Sequence, residues 1–212
     1  MGITTVEAQT KTVVTTMEKP HKRVGIFGGT FNPPHYAHLV IAQHIQEELE
    51  LDRIHFLPTA EPSHTNGKTT IPADYRVDMV ELAIEDNPNF CLDLTEVSRG
   101  GKSYTVETMR ALTEANPDVE YYFIIGQDMV LDLPTWDGID ELMELVQFVA
   151  AKRPGYEGES PYPIIWVDVP ELALSSSLIR QRVSEGKSIQ YLTPPRVIDY
   201  IKTEGLYTHD NN

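Results

Sequence analysis

Residues 23–38 read RVGIFGGTFNPPHYAH, and this stretch decides the fold of the chain. The opening RVGIF has the β-branched and aromatic residues of a strand buried in a parallel sheet. Gly28 and Gly29 end that strand, and without Cβ atoms they let the backbone approach a ligand closely. The helix that follows offers unpaired N–H groups and the positive end of its dipole, which together bind phosphate. The segment therefore predicts a strand, a glycine turn and a helix built around a phosphate-bearing ligand.

Two histidines begin the predicted helix. His35 and His38 are three residues apart and so lie on one face of its first turn, where imidazole N–H groups can reach phosphoryl oxygens. Pro33 and Pro34 fix the approach of the chain to that turn. A plainer interpretation is that the glycines only make a strand-to-helix turn while one histidine caps the helix. The two residue types by themselves leave both interpretations open.

Length and charge limit the classes of protein that this chain can represent. Its 212 residues, 41% of them hydrophobic, can bury one substantial core, and one domain is the economical prediction. The net charge of −15 argues against general binding to nucleic acid or to an anionic membrane surface, since both need a basic footprint. Phosphorylated substrates must then be attracted by local cations or by Mg²⁺. The cations expected in loops or helix starts after strands are Arg99, Lys102, Arg153 and Arg180.

The termini and the single cysteine complete the general description. Cys91 excludes an internal disulfide and is predicted to be a small core residue rather than a nucleophile. No stretch is apolar enough to cross a bilayer, and residues 1–20 lack an apolar signal core, so we expect a cytoplasmic protein without membrane partners. Residues 1–20 are predicted to be a flexible extension, 21–208 the domain and 209–212 a tail.

Strand and helix patterns alternate along the chain. Such repeated βα alternation predicts a doubly wound α/β fold, a mostly parallel sheet with helices on both faces and ligands at the carboxyl ends of the strands. Two terminal helices should follow the sheet, ended by Gly186 and Gly205. The predicted strands are 24–27, 54–57, 90–94, 121–125, 147–151 and 164–168, and the predicted helices are 36–50, 74–86, 105–115, 138–145, 175–185 and 194–203.

A second segment with chemical meaning is LSSSLIRQRVSEGKSI, residues 174–189. Serine hydroxyls before an amphipathic helix can cap its first N–H groups or bind phosphate, and Arg180 adds a positive charge nearby. In most proteins such a serine run is only a helix cap and the arginine a surface residue. The pattern alone does not decide between a cap and a phosphate site.

Both segments resemble motifs of the nucleotidyltransferases of the α/β-phosphodiesterase-like superfamily. GGTFNPPHYAH is similar to their GG-T-F-x-P-x-H-x-G-H signature, with Ala37 where glycine is usual, and SSSLIR is similar to their I-S-S-T-x-I-R motif. The resemblance implies a Rossmann-like nucleotidyltransferase fold that holds ATP between the two ends of the chain. It implies catalytic roles for His35, His38 and Arg180, and nucleotide contacts for Gly28, Gly29, Thr30, Phe31, Ser176, Ser177 and Ile179.

Three more segments resemble the bacterial nicotinate mononucleotide adenylyltransferases. They are RGGKSYTVET at 99–108, YYFIIGQD at 121–128 and LPTWDGIDEL at 133–142. The resemblance implies that Gly126, Asp128 and Arg153 lie beside ATP. It also implies that the nicotinate carboxylate is bound by Tyr104, Thr105 and the backbone at Asp137, with Trp136 stacked on the pyridine ring.

The implied reaction joins ATP and nicotinate mononucleotide to give deamido-NAD and pyrophosphate. The mononucleotide phosphate would attack the α-phosphorus of ATP directly, with Mg²⁺ bridging ATP oxygens. The loop 100–105 offers N–H donors and no carboxylate, so it should prefer the acid to the amide. Several alternatives stay open. The substrate could instead be nicotinamide mononucleotide or phosphopantetheine, and the protein could instead be a cytidylyltransferase or a non-catalytic nucleotide sensor. The sequence also leaves open whether the protein is a homo-oligomer, and which of His64 and Lys68 contacts the substrate.

Overall fold

The computed structural model describes residues 22–61, 70–152 and 159–208. Predictions for residues 1–20, for the tail 209–212 and for Arg153, His64 and Lys68 fall outside these described residues. Within them, no helix combines the length and the apolar character that a membrane crossing requires.

One parallel sheet of six strands forms the centre of the described chain, as the sequence predicts. Its spatial order is β3-β2-β1-β4-β5-β6, so the chain runs outward from β1 in one direction and then, from β4, in the other. The carboxyl ends of β1 and β4 therefore flank the crevice where open α/β sheets bind ligands. The strands are β1 Lys22–Gly29, β2 Arg53–Pro58, β3 Phe90–Leu92, β4 Val119–Gly126, β5 Gln147–Lys152 and β6 Ile164–Asp168.

Eight α-helices connect or follow these strands in the described chain. They are α1 Tyr36–Glu48, α2 Ala73–Ile84, α3 Thr95–Arg99, α4 Thr105–Ala115, α5 Gln127–Val130, α6 Ile139–Leu145, α7 Ser176–Ser184 and α8 Pro195–Thr203, with a short 3-10 turn at Leu133–Thr135. Helix α3 was not predicted, and it places Arg99 at a helix end rather than in a loop. It begins where Asp93 accepts hydrogen bonds from the backbone N–H and hydroxyl of Thr95, at 2.9 and 2.6 Å.

Alternate residues of the central strands supply two cores, one on each face of the sheet. Phe27 and Ile124 belong to the core under α1 and α2, whereas Ile26 and Phe123 belong to the core under α4 and α6. Burial on both faces explains why these strands are almost continuously apolar. This is the doubly wound arrangement that the alternating pattern predicts.

A third, smaller core joins the two terminal helices to α2. Ile179 of α7, Val197 of α8 and Met79 of α2 are completely buried in it. Gly186 and Gly205 follow α7 and α8 at φ of 65° and 62°, the left-handed conformation that ends a helix and favours glycine. This packing brings α7 beside the loop that leaves β1.

Candidate active site

The loop after β1 depends on its glycines for the packing of Phe31. A Cβ atom on Gly29 would lie 3.0 Å from the Cζ atom of the Phe31 ring, too close for any larger residue without movement. The Phe31 ring is held in turn by Phe27 and Phe56, with ring centroids 5.9 and 5.7 Å away. Phe31 itself has a φ of 47°, in the left-handed region. The signature therefore encodes a tightly packed turn as well as close approach to a ligand.

The two histidines meet in a way that differs from the predicted helical turn. His35 is the N-cap of α1 with extended backbone (φ −148°, ψ 168°), so it precedes the helix instead of lying within it. Its backbone N–H donates to Nδ1 of His38 at 3.1 Å. The two imidazoles are stacked with centroids 3.7 Å apart and an interplanar angle of 18°. The two side chains are adjacent, as expected. They are brought together by the N-cap position of His35 and not by a shared face of the helix.

Both imidazoles are neutral near pH 7 in the ligand-free protein. Burial lowers the pKa of His35 to about 4. Burial and the proximity of His35 hold the pKa of His38 well below its usual 6.5. Because Nδ1 of His38 accepts a hydrogen bond, the proton of its neutral ring is on Nε2, which can donate to a ligand oxygen.

The serine motif lies directly against the β1 loop, although the chain separates them by more than a hundred residues. The hydroxyl of Ser176 donates to the Pro33 carbonyl at 2.7 Å. The guanidinium of Arg180 donates to the Asn32 carbonyl at 2.8 Å and to the Ser177 hydroxyl at 3.2 Å. The structure thus brings together the two motifs that the resemblance pairs.

The serine that caps α7 is not one of the two that were predicted to bind phosphate. Ser175, which was not among the predicted binding residues, accepts from the backbone N–H of Leu178 at 3.1 Å and is the N-cap of α7. Ser177 is exposed, and its hydroxyl accepts the hydrogen bond from Arg180. Ile179 differs from its neighbours because its side chain is completely buried in the third core.

Two further residues near the end of the described chain hold the same loop, and no motif in the sequence indicates either of them. The Thr193 hydroxyl donates to the Pro34 carbonyl at 2.7 Å. The Tyr207 hydroxyl donates to Oδ1 of Asn32 at 2.6 Å. Both bonds are buried, so the β1 loop is fixed from the carboxyl-terminal side at several successive residues.

Arg76 of α2 is a buried cation that the sequence analysis missed. It is 0% exposed, and its guanidinium donates to the carbonyls of Thr30, Thr59 and Ala60 at 2.9, 2.7 and 2.8 Å. Burial lowers its pKa. In a helical pattern an arginine normally indicates a solvent-exposed position. Here it joins the loop after β1 to the loop after β2.

The first of two cavities at the carboxyl edge of the sheet, called here the histidine cavity, has a volume of about 370 Å³. Residues that line it include Phe27, His35, Ala37, His38, Ile125, Gly126, Asp128 and Lys152. Gly126 and Asp128 are therefore placed beside the histidines, as the resemblance implies. Lys152 was not predicted; its position at the carboxyl end of β5 is the signal that could have found it.

Asp128 folds back over the end of β4. A Cβ atom on Gly126 would lie 2.5 Å from Oδ1 of Asp128, so any larger residue there would displace the Asp128 carboxylate. Helix α5 spans Gln127–Val130 with Gly126 as its N-cap, so Asp128 lies inside the helix and does not cap it. Ala37 also lines the cavity, where its methyl group occupies space that the usual glycine would leave open.

The second cavity, called here the tryptophan cavity, has a volume of about 340 Å³ and lies on the other side of β1 and β4. It shares Phe27, Ile125 and Gly126 with the histidine cavity. Its other lining residues include Gly28, Gly29, Thr30, Thr59, Glu96, Ser103, Thr105 and Trp136. A smaller pocket of about 210 Å³ continues from Thr105 and Trp136 to Tyr104 and Asp137. All four residues predicted to bind the pyridine end are therefore found together.

Trp136 is held by other aromatic rings at its edges. The centroid of its ring lies 6.0 Å from that of Phe123, with an interplanar angle of 88°, and 6.1 Å from that of Phe148, with an interplanar angle of 70°. Such edge-to-face contacts fix the orientation of the indole in the cavity wall. Thr105 is the first residue of α4, with Tyr104 as N-cap, so unpaired N–H groups of that helix start lie at the same cavity.

Glu96 of α3 is a further residue that the sequence analysis missed. It is only 3% exposed, and Oε1 accepts a hydrogen bond from the Thr108 hydroxyl at 3.0 Å. Burial raises the pKa of its carboxyl group, against the opposing effects of the Ser103 and Thr108 hydroxyls and the Arg99 charge. A single glutamate at the start of a short polar helix gives no hint that it is buried.

Four buried side-chain atoms in the described part of the chain have no hydrogen-bond partner, and all four belong to residues that line the two cavities. They are Nδ1 of His35 in the histidine cavity, and Oγ1 of Thr59, Oε2 of Glu96 and Nε1 of Trp136 in the tryptophan cavity. Buried polar atoms are usually paired, so unpaired ones gathered in this way indicate where a polar ligand binds.

Comparison with known proteins agrees with this geometry. Residues 26–182 match the family model described as cytidylyltransferase-like. A relative from Enterococcus faecalis, named "Probable nicotinate-nucleotide adenylyltransferase", is 56% identical over 188 residues, which cover 88% of this chain and 85% of that protein. A relative of the same name from Lactiplantibacillus plantarum is 53% identical, with 91% of each chain covered. The chain belongs to the nicotinate-nucleotide adenylyltransferase family.

Solved structures support the fold of this adenylyltransferase. The nicotinic acid mononucleotide adenylyltransferase of Plasmodium falciparum, complexed with NaAD, superposes with a TM-score of 0.74 at 24% identity and covers 91% of this chain and 99% of its own. Its complex with APC gives a TM-score of 0.72 at 23% identity. The predicted fold class and the family resemblance are both confirmed.

Proposed function

We propose that this adenylyltransferase joins ATP and nicotinate mononucleotide to give deamido-NAD and pyrophosphate. The observation that supports the proposal most directly is the pair of cavities that meet at Phe27, Ile125 and Gly126. One cavity has the histidines and the other has the tryptophan and a helix start. Two nucleotides placed in them would bring their phosphates together at the ends of β1 and β4, where glycine leaves room for the backbone to approach.

The mononucleotide phosphate is ionised near neutral pH, so its attack on the α-phosphorus needs no strong general base. It needs alignment and stabilisation of the charge that develops on the transferring group and on pyrophosphate. Neutral imidazoles suit this task as hydrogen-bond donors, and Nε2 of His38 carries the proton required. We assign His35 and His38 to phosphoryl oxygens, with no covalent enzyme intermediate.

The triphosphate is proposed to lie against the other motif. Ser176, Ser177 and Arg180 adjoin the same loop, and the Arg180 charge is placed to offset that of the departing pyrophosphate. Gly28, Gly29, Thr30 and Phe31 are proposed to contact the nucleotides through the loop backbone, and Gly126, Asp128, Arg153 and Ile179 to lie around ATP.

The pyridine end is proposed to lie in the tryptophan cavity and its smaller extension. An indole face suits a flat, electron-poor ring, and the N–H groups at the start of α4 suit a carboxylate. We assign the ring to Trp136 and the carboxylate to Thr105, Tyr104 and the backbone at Asp137.

Mg²⁺ is proposed to enter as part of the Mg·ATP substrate, bound mainly by phosphate oxygens. Within residues 22–61, 70–152 and 159–208, no group of three or more His, Cys, Asp or Glu side chains is arranged to hold a metal. A cytoplasmic location and a homo-oligomeric state stay predictions from the sequence.

A substrate panel tests the proposed function. Pyrophosphate release from Mg·ATP is measured with nicotinate mononucleotide, nicotinamide mononucleotide and phosphopantetheine. We expect turnover with nicotinate mononucleotide well above the other two. Turnover mainly with phosphopantetheine would assign a different adenylyltransferase activity, and ATP binding without pyrophosphate release would identify a sensor.

A further inference from the structure

The carboxyl group of Glu96 lines the tryptophan cavity with one oxygen that has no hydrogen-bond partner. The Arg99 guanidinium donates to the Thr108 hydroxyl at 3.0 Å, so that hydroxyl directs its own proton to Oε1 of Glu96, also at 3.0 Å. Oε1 is thereby an acceptor, and in a neutral carboxylic acid the proton is then on the other oxygen, Oε2. Oε2 is the atom that is buried without a partner. The Ser103 hydroxyl, which opposes the rise in the pKa of Glu96, accepts from the backbone N–H of Ala60 at 3.1 Å.

The charges around Glu96 do not give it a direct ionic partner. Arg99 reaches Thr108 rather than the carboxyl group, and its guanidinium also lies 4.0 Å from the exposed Glu107. An ionised carboxylate that is 3% exposed, with one oxygen unpaired, would be costly without a cation bonded to it. The charged groups that act on it are Arg99 on its own helix and Asp93 after β3. Asp93 is in turn hydrogen-bonded to His55 on β2, and the exposed Glu107 on α4 lies near Arg99.

We propose that Oε2 of Glu96 contacts the substituent at position 3 of the pyridine ring and distinguishes an acid from an amide there. The inference rests on the proposed function and deepens it, because it names a specificity-determining residue that lies outside the 100–105 loop. Two other unpaired atoms, the Thr59 hydroxyl and the Trp136 Nε1–H, line the same cavity. With a neutral Glu96, its Oε2 and the Thr59 hydroxyl can both donate, and a carboxylate, which only accepts, satisfies them. The Trp136 ring is assigned to stacking, which keeps its N–H out of the plane of the substituent.

The choice between acid and amide then depends on the protonation of one side chain. Ionised Glu96 repels a nicotinate carboxylate and accepts the N–H of a carboxamide instead. Burial raises the pKa of Glu96 in the free protein. The preference for the acid, measured as a ratio of kcat/KM values, therefore decreases as Glu96 of the free enzyme ionises with rising pH, with a limiting slope of about tenfold per pH unit.

The test compares nicotinate and nicotinamide mononucleotides at saturating Mg·ATP from about pH 6 to about pH 9. The two substrates carry the same phosphate, so the ratio of their kcat/KM values cancels its ionisation and that of the other catalytic groups. The ratio is measured for the wild type, for Glu96→Gln, and for the control Glu107→Gln. The control removes an exposed carboxyl near Arg99 that does not line the cavity.

We expect the acid-to-amide ratio of the wild type and of Glu107→Gln to fall with rising pH, and that of Glu96→Gln to stay flat. Glutamine cannot ionise and keeps an N–H donor, so at the highest pH its ratio should exceed that of the wild type at least ~10-fold. A merely structural role would lower both efficiencies together and leave the pH profile of the ratio unchanged.

A wild-type ratio that does not change with pH would overturn the inference, as would a Glu96→Gln profile that follows the wild type. The wild-type measurement needs no variant, so the inference stays testable if Glu96→Gln does not fold. Failure of the proposed function is distinguishable, because it would appear as no pyrophosphate release with either mononucleotide at any pH.

Discussion

The backbone N–H of His35 donates to Nδ1 of His38 across 3.1 Å, and this one bond makes the two histidines inequivalent. His38 has its neutral tautomer fixed, with Nε2 as the donor. His35 instead keeps a buried Nδ1 without a partner. The rings of Phe27 and Phe31 pack edge-on against the His38 imidazole, with ring centroids 5.9 and 5.1 Å away. Its imidazole is therefore oriented before any nucleotide binds.

Replacement of His38 by alanine should lower kcat at least ~100-fold, the loss typical of removing one preorganised donor to a charged transition state. The fold should survive, since the ring lines the histidine cavity. Pyrophosphate release under saturating substrates measures the effect. His44→Ala, on the same helix and outside both cavity linings, is the matched control and should keep nearly the wild-type kcat. A near-normal kcat in His38→Ala would refute the assignment.

Stability should decrease below pH 6.5 because of His35. Its pKa is about 4 in the folded protein, against 6.5 for an ordinary histidine. As the pH falls, His35 is therefore protonated near pH 6.5 in the unfolded chain but only near pH 4 in the folded protein. At about pH 5 this difference costs about 2 kcal/mol relative to about pH 8. Urea unfolding of the wild type and of His35→Gln at both pH values measures it. An equal pH effect in the two proteins would mean that His35 is not the source.

Loss of Arg180 should raise the KM for ATP and slow the reaction, because the variant lacks the cation proposed to meet the triphosphate. Steady-state kinetics of Arg180→Ala with varied Mg·ATP give both values. Arg182→Ala is the control, since that arginine lies on the same helix and donates to the Ser188 carbonyl. Unchanged kcat and KM for ATP in Arg180→Ala would mean that Arg180 does not contact ATP and has only a structural role, through its hydrogen bond to Asn32.

At pH 7 the kcat/KM for nicotinate mononucleotide should exceed that for nicotinamide mononucleotide by at least ~100-fold. The amide would turn its NH₂ toward donors and leave polar groups unpaired, at roughly 1–3 kcal/mol per group. Trp136 is proposed to stack equally on either ring and should contribute affinity rather than selectivity. Equal efficiency, measured side by side at matched Mg·ATP, would indicate an enzyme with dual specificity.

Replacement of Arg76 by methionine should destabilise the protein by about 3 kcal/mol or more. The substitution leaves buried carbonyls of Thr30, Thr59 and Ala60 without their donor. Urea denaturation gives the free energy of unfolding. Arg110→Met removes an exposed arginine paired with Glu141 and should leave the midpoint close to the wild-type value. Equal midpoints for the two variants would contradict the structural role of Arg76.

The sequence predicts the elements that follow from local rules. The β1 turn, the α1 start and the glycines after α7 and α8 are encoded within a few neighbouring residues, so their positions agree with the structure to within two residues. The serine run was predictable as a helix start for the same reason. Which serine caps the helix was not, because Ser175 and Ser176 have the same hydroxyl and differ only in what lies opposite.

Residues that act through distant contacts were not predictable from the sequence. Arg76 and Glu96 have side chains that normally face solvent, and only the folded chain shows that each is buried against backbone or hydroxyl groups. Nothing near Tyr207 indicates that it reaches Asn32, which is 175 positions away. The loop 100–105 contains no carboxyl group, and the preference for the acid was predicted from that loop alone. Glu96 brings a carboxyl group to the same cavity from α3.

The attachment of the β1 loop by Ser176, Arg180, Thr193 and Tyr207 has a consequence for synthesis on the ribosome. The glycine turn and both histidines leave the ribosome early. Their loop cannot form its hydrogen bonds to the carboxyl-terminal residues until the segment that carries α7, α8 and Tyr207 has also left the exit tunnel. Nascent chains that stall before this point carry the whole nucleotide signature and still lack a formed site. Abortive translation products of this enzyme should therefore not sequester ATP.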